Sequence, residues 1–531
     1  MALVDIGGQV VLDRIQSFDD ASTSVSLLHT LPPELLLKIF RSHIFLHSPG
    51  HDEGHAGYSL QIFRSGESES FRVGCLALKL AAVCSYWRRT LLSTPMIWSS
   101  WCIDTAAFDY PGSRLSSLFH TYLSYSGSVP LKISMHFNER LSPETQGVLE
   151  ALMVHSKRWK SAKLMLNLQQ KITGVYRRSL IDRSTRDGRP RFYLPVADFP
   201  SLEELELENL KRASFCFRSF RSWSQLKKLS IQHMRWCQFA VHDFSRLIEF
   251  HVSQGLIGPS IAHFLLHMPM LQKFTLESFR YVDHQLQVEG DPRNESNVHS
   301  HSSLTSLKIY PGALSPVSWK DIRLPNLHTL ELEVSEQDLL QDTSDILKWA
   351  QSSPFLSVLN STTHLQILDL DCVPEQTAIE IVTACSSITT LNLRIGDFEG
   401  AELFKQMSAG FGHTPIAPKL SSFRVYLLGS KLAYQIRVYT RFGWNIAFIR
   451  LAKALYGLIE SRCATLPEAC VADSEETPRY SFTQNASGIL VLDSEDSSSL
   501  MQFGHEKRIW SRLASTSKSF KIINVPPIAS I

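Results

Sequence analysis

Ser201-Leu202-Glu203-Glu204-Leu205-Glu206-Leu207-Glu208 sets three leucines in the order L-x-x-L-x-L, with glutamates filling most of the gaps. The third leucine falls five residues after the first, off the face an amphipathic helix would give it. A strand, with its period of two, instead puts Leu205 and Leu207 on one side and Glu204, Glu206 and Glu208 on the other. The stretch reads as a short strand with one buried face and one solvated face.

Eight further copies follow with apolar swaps: Leu226, Leu229, Ile231; Leu247, Phe250, Val252; Leu271, Phe274, Leu276; Leu304, Leu307, Ile309; Leu327, Leu330, Leu332; Leu365, Leu368, Leu370; Ile388, Leu391, Leu393; Leu420, Phe423, Val425. Successive first positions lie 21 to 38 residues apart, room for one strand and one return segment. Return helices are expected where Pro259 opens a pattern with Ile261, Phe264, Leu265 and Met268 on one face, and where Ile379, Val382 and Cys385 share one. Pro200, Pro269, Pro325 and Pro418 each stand two residues ahead of a first leucine and end the return segment there. Ser126-Gly127 reads as a turn into a strand at Leu131, followed by a helix carrying Val148, Leu149, Leu152 and Met153. Trp159, Ala162, Leu164 and Leu166 read as a weaker early copy.

This pattern resembles the leucine-rich repeats. The ninth position, often Asn or Cys in that family, is here Leu210, Met234, Gly255, Phe279, Gly312, Ser335, Val373 and Gly396 in the first eight copies. No asparagine ladder is expected, and the implied solenoid is irregular. The alternative is a set of unrelated strands in an ordinary α/β domain. In a repeat array the polar positions between and after the leucines line the concave face, and Glu204, Glu206, Glu208, Lys228, His251, Lys273, Lys308, Tyr310, Glu331, Asp369, Asp371, Arg394, Arg424 and Tyr426 are the candidate target-binding residues. The competing reading is the solvated face any soluble array must have.

Upstream, Leu31-Pro32-Pro33-Glu34-Leu35-Leu36-Leu37-Lys38-Ile39-Phe40 opens a helix, with Pro33 in the first turn, Glu34 at the positive end, and Leu36, Ile39 and Phe40 expected on one face. A second helical pattern runs from Leu78 to Trp87 and is interrupted at Thr94-Pro95, with Trp98 after it. The order Leu-Pro-Pro-Glu-Leu-Leu, Val83-Cys84-x-x-Trp87-Arg88, Pro95-x-x-Trp98 resembles the F-box. That resemblance implies a helical hairpin docking on a Skp-type adaptor of a cullin RING ubiquitin ligase. Carried over by position, it implies adaptor contacts at Leu31, Pro32, Glu34, Leu35, Ile39, Phe40, Val83, Cys84, Trp87 and Trp98. The separation of Phe40 from Leu78 departs from a compact F-box and implies an insert around 43–75.

With 531 residues, the chain exceeds one ordinary core, so several units or an elongated array are expected. Hydrophobic residues make up 44% and charged ones 20%, which describes a folded, soluble chain, and a net charge of +2 points to no polyanion. Met1-Ala2-Leu3-Val4-Asp5 has no basic segment, and no stretch is long and apolar enough to span a bilayer, so a cytoplasmic or nuclear location and no membrane partner are expected. The nine cysteines form no C-x-x-C pair and read as reduced thiols.

His43, His47, His51 and His55 recur every four residues, but Pro49, Gly50, Gly54 and Gly57 break the helix that would stack them, so no metal site is expected. The basic run from Lys171 through Arg177, Arg178, Arg183, Arg186, Arg189 and Arg191 reads as an exposed insert, and a nucleic-acid partner is not expected. No phosphate loop, H-E-x-x-H or nucleophile elbow occurs, so no catalytic residue and no cofactor are expected. Phe448, Leu451, Leu455, Leu458 and Ile459 suggest a capping helix, and the acidic, serine-rich stretches at Asp473 and Asp493 suggest linkers.

The expected organisation is α/β: a terminal segment over 1–30, an F-box over 31–101, an irregular leucine-rich-repeat solenoid over 126–430, and a capping helix with a partly disordered tail over 440–531. The expected role is target recognition for a cullin RING ligase, without chemistry of its own. A non-enzymatic scaffold or sensor is the alternative, and an enzyme with a site hidden between repeats the third possibility.

Overall fold

Each of the nine apolar triplets contributes its last two residues to a strand, and those residues are buried wherever their side chains are described. The computed structural model describes residues 31–46, 58–64, 71–108, 115–138, 143–167, 197–208, 222–232, 244–253, 265–277, 299–309, 319, 322–333, 350–371, 373–395, 401–408, 416–420, 422–427, 454, 457–458, 468–473, 480–484, 490–494 and 520–524. The chain divides into two units, Met1–Met234 with Gln238–Leu247, and Arg235–Cys237 with Ile248–Ile531. Both are α/β and built on mostly parallel sheets.

The first unit holds strands β1 (Leu60–Arg64), β2 (Phe71–Cys75), β3 (Ser100–Asp104), β4 (Leu131–Asn138), β5 (Trp159–Asn167), β6 (Glu204–Glu208) and β7 (Lys228–Gln232). They run in the order β2-β1-β3-β4-β5-β6-β7, parallel except for the antiparallel pair β1 and β2. Helices α1 (Pro33–Leu46), α2 (Leu76–Ala81), α3 (Ser85–Leu92), α4 (Leu115–Tyr125) and α5 (Pro143–Val154) belong to the same unit. Gly127 follows α4 at φ +52°, a left-handed conformation that glycine adopts without a Cβ clash. The expected turn into β4 is therefore present.

The second unit stacks β8 (Glu249–Ser253), β9 (Lys273–Glu277), β11 (Ser306–Ile309), β13 (Thr329–Glu333), β14 (Ile367–Asp371), β15 (Thr390–Ile395), β16 (Ser422–Leu427) and β17 (Glu468–Asp473), all parallel in that order. Helices α6 (Ser353–Asn360), α7 (Glu375–Ala384) and α8 (Ala401–Met407) return the chain between β13 and β16. Two short sheets complete it: β10 (His299–Ser300) with β12 (Ile322–Arg323), and β18 (Tyr480–Gln484), β19 (Leu490–Ser494) and β20 (Phe520–Asn524).

Register explains why the leucine pattern needs no asparagine ladder. Leu307, Leu330, Leu368 and Leu391 are direct partners along one row, and Ile309, Leu332, Leu370 and Leu393 along another. Ahead of several strands, one carbonyl takes two consecutive amides from the next: Glu203 from Lys227 and Lys228, Thr305 from His328 and Thr329, Gln366 from Thr389 and Thr390. Backbone bonds thus join successive copies where a side-chain ladder would otherwise do so.

A further regularity was missed in the sequence pattern. Leu202, Leu226, Leu247, Leu271, Leu327, Ile388 and Leu420 each donate their amide to the carbonyl three residues back, closing a β-turn. Pro200, Pro269, Pro325 and Pro418 occupy the second position of that turn, where a fixed φ near −65° is favourable. The residue three before the first leucine is buried in every copy: Phe199, Trp223, Phe244, Met268, His301, Leu324, Thr362, Cys385 and Ala417. His301 fills its place by a 2.9 Å contact from Nε2 to the Met268 carbonyl.

Several expectations need correction. The second helical stretch is two helices, because Cys84 is extended and caps α3, its sulfur accepting the Trp87 amide at 3.4 Å. Leu36, Ile39 and Phe40 do not share a face: Leu36 and Phe40 are buried, whereas Ile39 lies outward beside Leu35, one helical turn away. Of the 43–75 insert, residues 43–46 finish α1, and 60–64 and 71–75 form β1 and β2, which extend the sheet. Strand β17 carries the second sheet past residue 430. Ile379, Val382 and Cys385 are buried as expected, α7 ending just before Cys385. Most of the Pro259 pattern, the basic run, His47, His51, His55, residues 1–30 and most of the capping helix lie outside the described residues; Ala454 and Leu458 are helical and buried. No described helix is long and apolar enough to cross a membrane.

Leu330 is fully buried in the middle of its row, so Leu330→Ala is expected to cost roughly 2–5 kcal/mol in urea unfolding. Pro325→Ala acts mainly on the unfolded chain and should cost at most about 1 kcal/mol.

Candidate functional site

Three surfaces carry the residues singled out above. The first is helical. Pro33 starts α1, and the Pro32 carbonyl accepts the Leu35 and Leu36 amides at 3.0 and 3.1 Å, a tight first turn. Leu36 and Phe40 point into the unit, Phe40 meeting Trp87 edge-on at 4.8 Å between ring centroids. The Tyr86 hydroxyl donates to the Leu31 carbonyl at 3.0 Å, tying α3 to the start of α1. With its inner face so anchored, α1 leaves Leu35 45% and Ile39 51% exposed; Val83, in the turn before α3, is 60% exposed.

Met96 is 53% exposed and was not anticipated; its sulfur lies 3.0 Å from the Arg41 guanidinium, which places it beside α1. Among the described side chains of residues 31–98, the exposed bases Lys38, Arg41, Lys79, Arg88 and Arg89 stand against Glu34 as the exposed acid. Pro32 is exposed, Leu31, Cys84 and Trp87 half-buried. Phe40 and Trp98 offer no surface to a partner, a correction to their expected role. Trp98 is fully buried, its indole donating to the Leu91 carbonyl at 2.8 Å and its ring packing on Tyr122.

The second surface is the polar face of the first sheet. Register aligns Gln61, Cys102, Ser134, Lys163, Glu206 and Ser230 in one row across six strands, buried at Gln61, Cys102 and Ser134 and half-buried from Lys163 on. The Lys163 ammonium lies 3.0 Å from Glu206 and 2.8 Å from Glu208. Burial pulls the Lys163 pKa down, but hydrogen bonds to Glu208 and Glu206 outweigh it and hold the ammonium above its ordinary range. Glu206 is held up by burial and by the Glu208 carboxyl beside it. Glu208 is pushed up by burial, but hydrogen bonds from Glu206 and Lys163 hold it below. Farther along the face, Lys132 sits 4.5 Å over the Tyr58 ring. Burial drives the Cys102 thiol up to about 11, so it stays protonated at neutral pH. Glu204 and Lys228 flank the row and are exposed.

The third surface is the polar face of the second sheet, where His251, Thr275, Lys308, Glu331, Asp369 and Asn392 form one row. Neighbouring strands pair side chains across the face: Lys273 with Glu249 at 3.3 Å and Lys308 with Glu331 and Glu333 at 3.3 and 3.2 Å, while His251 Nε2 lies 3.1 Å from the Glu277 carboxylate. Lys308, Glu331, Leu332, Glu333, Asp369, Asp371 and Asn392 line an open depression of about 220 Å³. Arg394, Arg424 and Tyr426 lie on β15 and β16 with their side chains outside the described residues, and Tyr310 is outside them altogether. Among the described residues no group of three His, Cys, Asp or Glu is placed to hold a metal. Sequence reasoning found the rungs of both faces from β6 onward but missed Lys163, Cys102 and Ser134 on the first sheet, whose strands lack a clean leucine triplet.

No family model and no curated protein matches the chain. A crystal structure of a Bacteroides fragilis protein is similar at 12% identity, covering 64% of this chain and 71% of that chain with a TM-score of 0.25. Similarity at that level carries no argument about fold or function.

The Lys163 cluster has a signed pH dependence. Glu208, with a lowered pKa, contributes stability above its ordinary value of 4.5 that is lost as pH falls through its folded value. Glu206, with a raised pKa, contributes only below 4.5 and loses that as pH rises through its folded value. Glu208→Gln is expected to destabilise the first unit near pH ~7 but not near pH ~3, and Glu206→Gln to be neutral or stabilising near pH ~7. Both changes should stay within about 1 kcal/mol because the groups are partly exposed. Urea unfolding at the two pH values reads both.

Proposed function

We propose that this chain is the target-recognition subunit of a cullin RING ubiquitin ligase. Its segment 31–101 acts as an F-box, docking a Skp-type adaptor through Leu35, Ile39 and Val83, and its parallel strands act as a divergent leucine-rich-repeat solenoid whose polar faces hold a protein target. Ubiquitin transfer belongs to other subunits, and the chain works in the cytoplasm or nucleus, where such ligases act. The observation that supports this best is the exposure of Leu35 and Ile39 on α1, whose other side is fixed by Leu36 and Phe40, together with that of Val83 in the turn before α3. Large apolar side chains held outward on a rigid support are the ordinary anchors of a protein interface. The surrounding bases favour a partner whose docking groove is rimmed by acids.

The described buried thiols Cys102 and Cys385 fit a role without nucleophilic chemistry, burial raising them to about 11 and about 12. Target capture then accelerates ubiquitination by raising the target's effective concentration near the transfer machinery. A scaffold without ligase docking is the second reading. It is favoured by the two strands between α1 and α2, which a compact F-box lacks.

Co-purification with a Skp-type adaptor tests the reading. Ile39→Asp with Val83→Asp should weaken capture at least about tenfold, each buried apolar anchor being worth ~1.5–3 kcal/mol, with an unchanged melting curve because both residues are exposed. Failure of the wild-type chain to capture the adaptor would leave the scaffold reading.

A further inference from the structure

Between α1 and α2, strands β1 and β2 are built into the sheet. Strand β1 is its second strand, pairing antiparallel with β2 from Leu60 opposite Cys75 to Arg64 opposite Phe71, and parallel with β3 from Leu60 opposite Trp101 to Ile62 opposite Ile103. Leu60 and Ile62 are fully buried, and Ser59 and Gln61 nearly so. Ser59 is latched to Ser100 four times: its amide donates to the Ser100 carbonyl at 3.0 Å and to the Ser100 hydroxyl at 3.1 Å, its own hydroxyl donates to that carbonyl at 2.8 Å, and the Ser100 hydroxyl donates to the Ser59 hydroxyl at 3.4 Å.

Strand β2 passes without a linker into α2, Cys75 ending the strand and preceding the first helical turn. At the other end the turn Pro95–Trp98 returns directly to β3 at Ser100. The segment carrying Val83 therefore leaves the sheet at β2 and rejoins it at β3, with β1 seated between. Helix α1 is held to the same segment by Phe40 on Trp87 and by Tyr86 on Leu31. A helical module on one flexible linker could swivel, whereas one whose chain meets a sheet at three adjacent strands has no free hinge.

We propose that the β1–β2 hairpin is a bracket that fixes the docking helices in one orientation to the polar face of the first sheet. A partner on Leu35, Ile39 and Val83 and a target on the Lys163–Glu206 face are thereby set at one distance. The inference rests on the docking role proposed above for these helices, but its geometric content is measured without an adaptor.

Genetically encoded spin labels at the exposed positions Lys38 and Lys228 of the full chain avoid the nine native cysteines. Pulsed dipolar spectroscopy should return one narrow distance. Ile62→Asp, which drives a charge into the hairpin, should widen that distribution at least about twofold while adaptor capture stays within roughly twofold, since the exposed anchors lie outside the hairpin. Should Ile62→Asp abolish cooperative unfolding, Ser59→Ala with Ser100→Ala decides: a widened distribution supports the bracket and an unchanged one overturns it. A broad distribution in the wild-type chain also overturns it. A wild-type chain with one distance and no adaptor capture keeps the bracket and removes the docking role.

Discussion

Two buried apolar residues per strand, stacked in register with two on the next, are the constraint on which both sheets depend. Slipping one strand by a single residue would carry its leucines to the solvent face and its charges to the core, so the register is heavily overdetermined. The polar faces follow as a consequence. Once Leu330 and Leu332 point inward, Thr329, Glu331 and Glu333 must point outward. Folding decides that a face exists there, and leaves open which charges stand on it.

Those charges largely answer one another. Lys163 reaches two carboxylates of β6, and Lys308 two of β13, at 2.8 to 3.3 Å. Such partly exposed pairs each add only about 1 kcal/mol or less, so the faces are held by the rows beneath them. A charged ligand must displace these internal pairings, and gains only where its geometry is better. Selectivity on such a surface comes from spacing and shape more than from net charge.

The strands were legible because period-two burial writes itself into L-x-x-L-x-L, and every copy is a strand. The strands β1 to β3 were not, because Leu60-Gln61-Ile62 and Trp101-Cys102-Ile103 are too short to stand out from background. Their burial comes from neighbours distant in sequence. The buried position three before the first leucine was hidden for another reason: Phe, Trp, Met, His, Leu, Thr, Cys and Ala all fill it, so only the recurring turn reveals it. On α1 the residue types were informative and the facing was not. Leu35, Leu36, Leu37, Ile39 and Phe40 are apolar around most of the helix, and packing against residues distant in sequence, among them Trp87 on Phe40, turns Leu36 and Phe40 inward.

That outcome separates two roles which a motif presents as one. Trp98 is a framework residue: its indole is spent on the Leu91 carbonyl, and its ring joins Tyr122 under α4. Leu35, Ile39 and Val83 contribute little to that framework, and leaving them in water costs the chain part of the hydrophobic stabilisation their burial would bring. Substituting a polar residue at these positions would recover solubility without loss of packing. Among the described residues nothing buries them, and the adaptor surface proposed above would. Because the framework beneath is continuous with the sheet through Cys75 and Ser100, a partner proposed on these residues would be positioned by the same strands that present the Lys163 row.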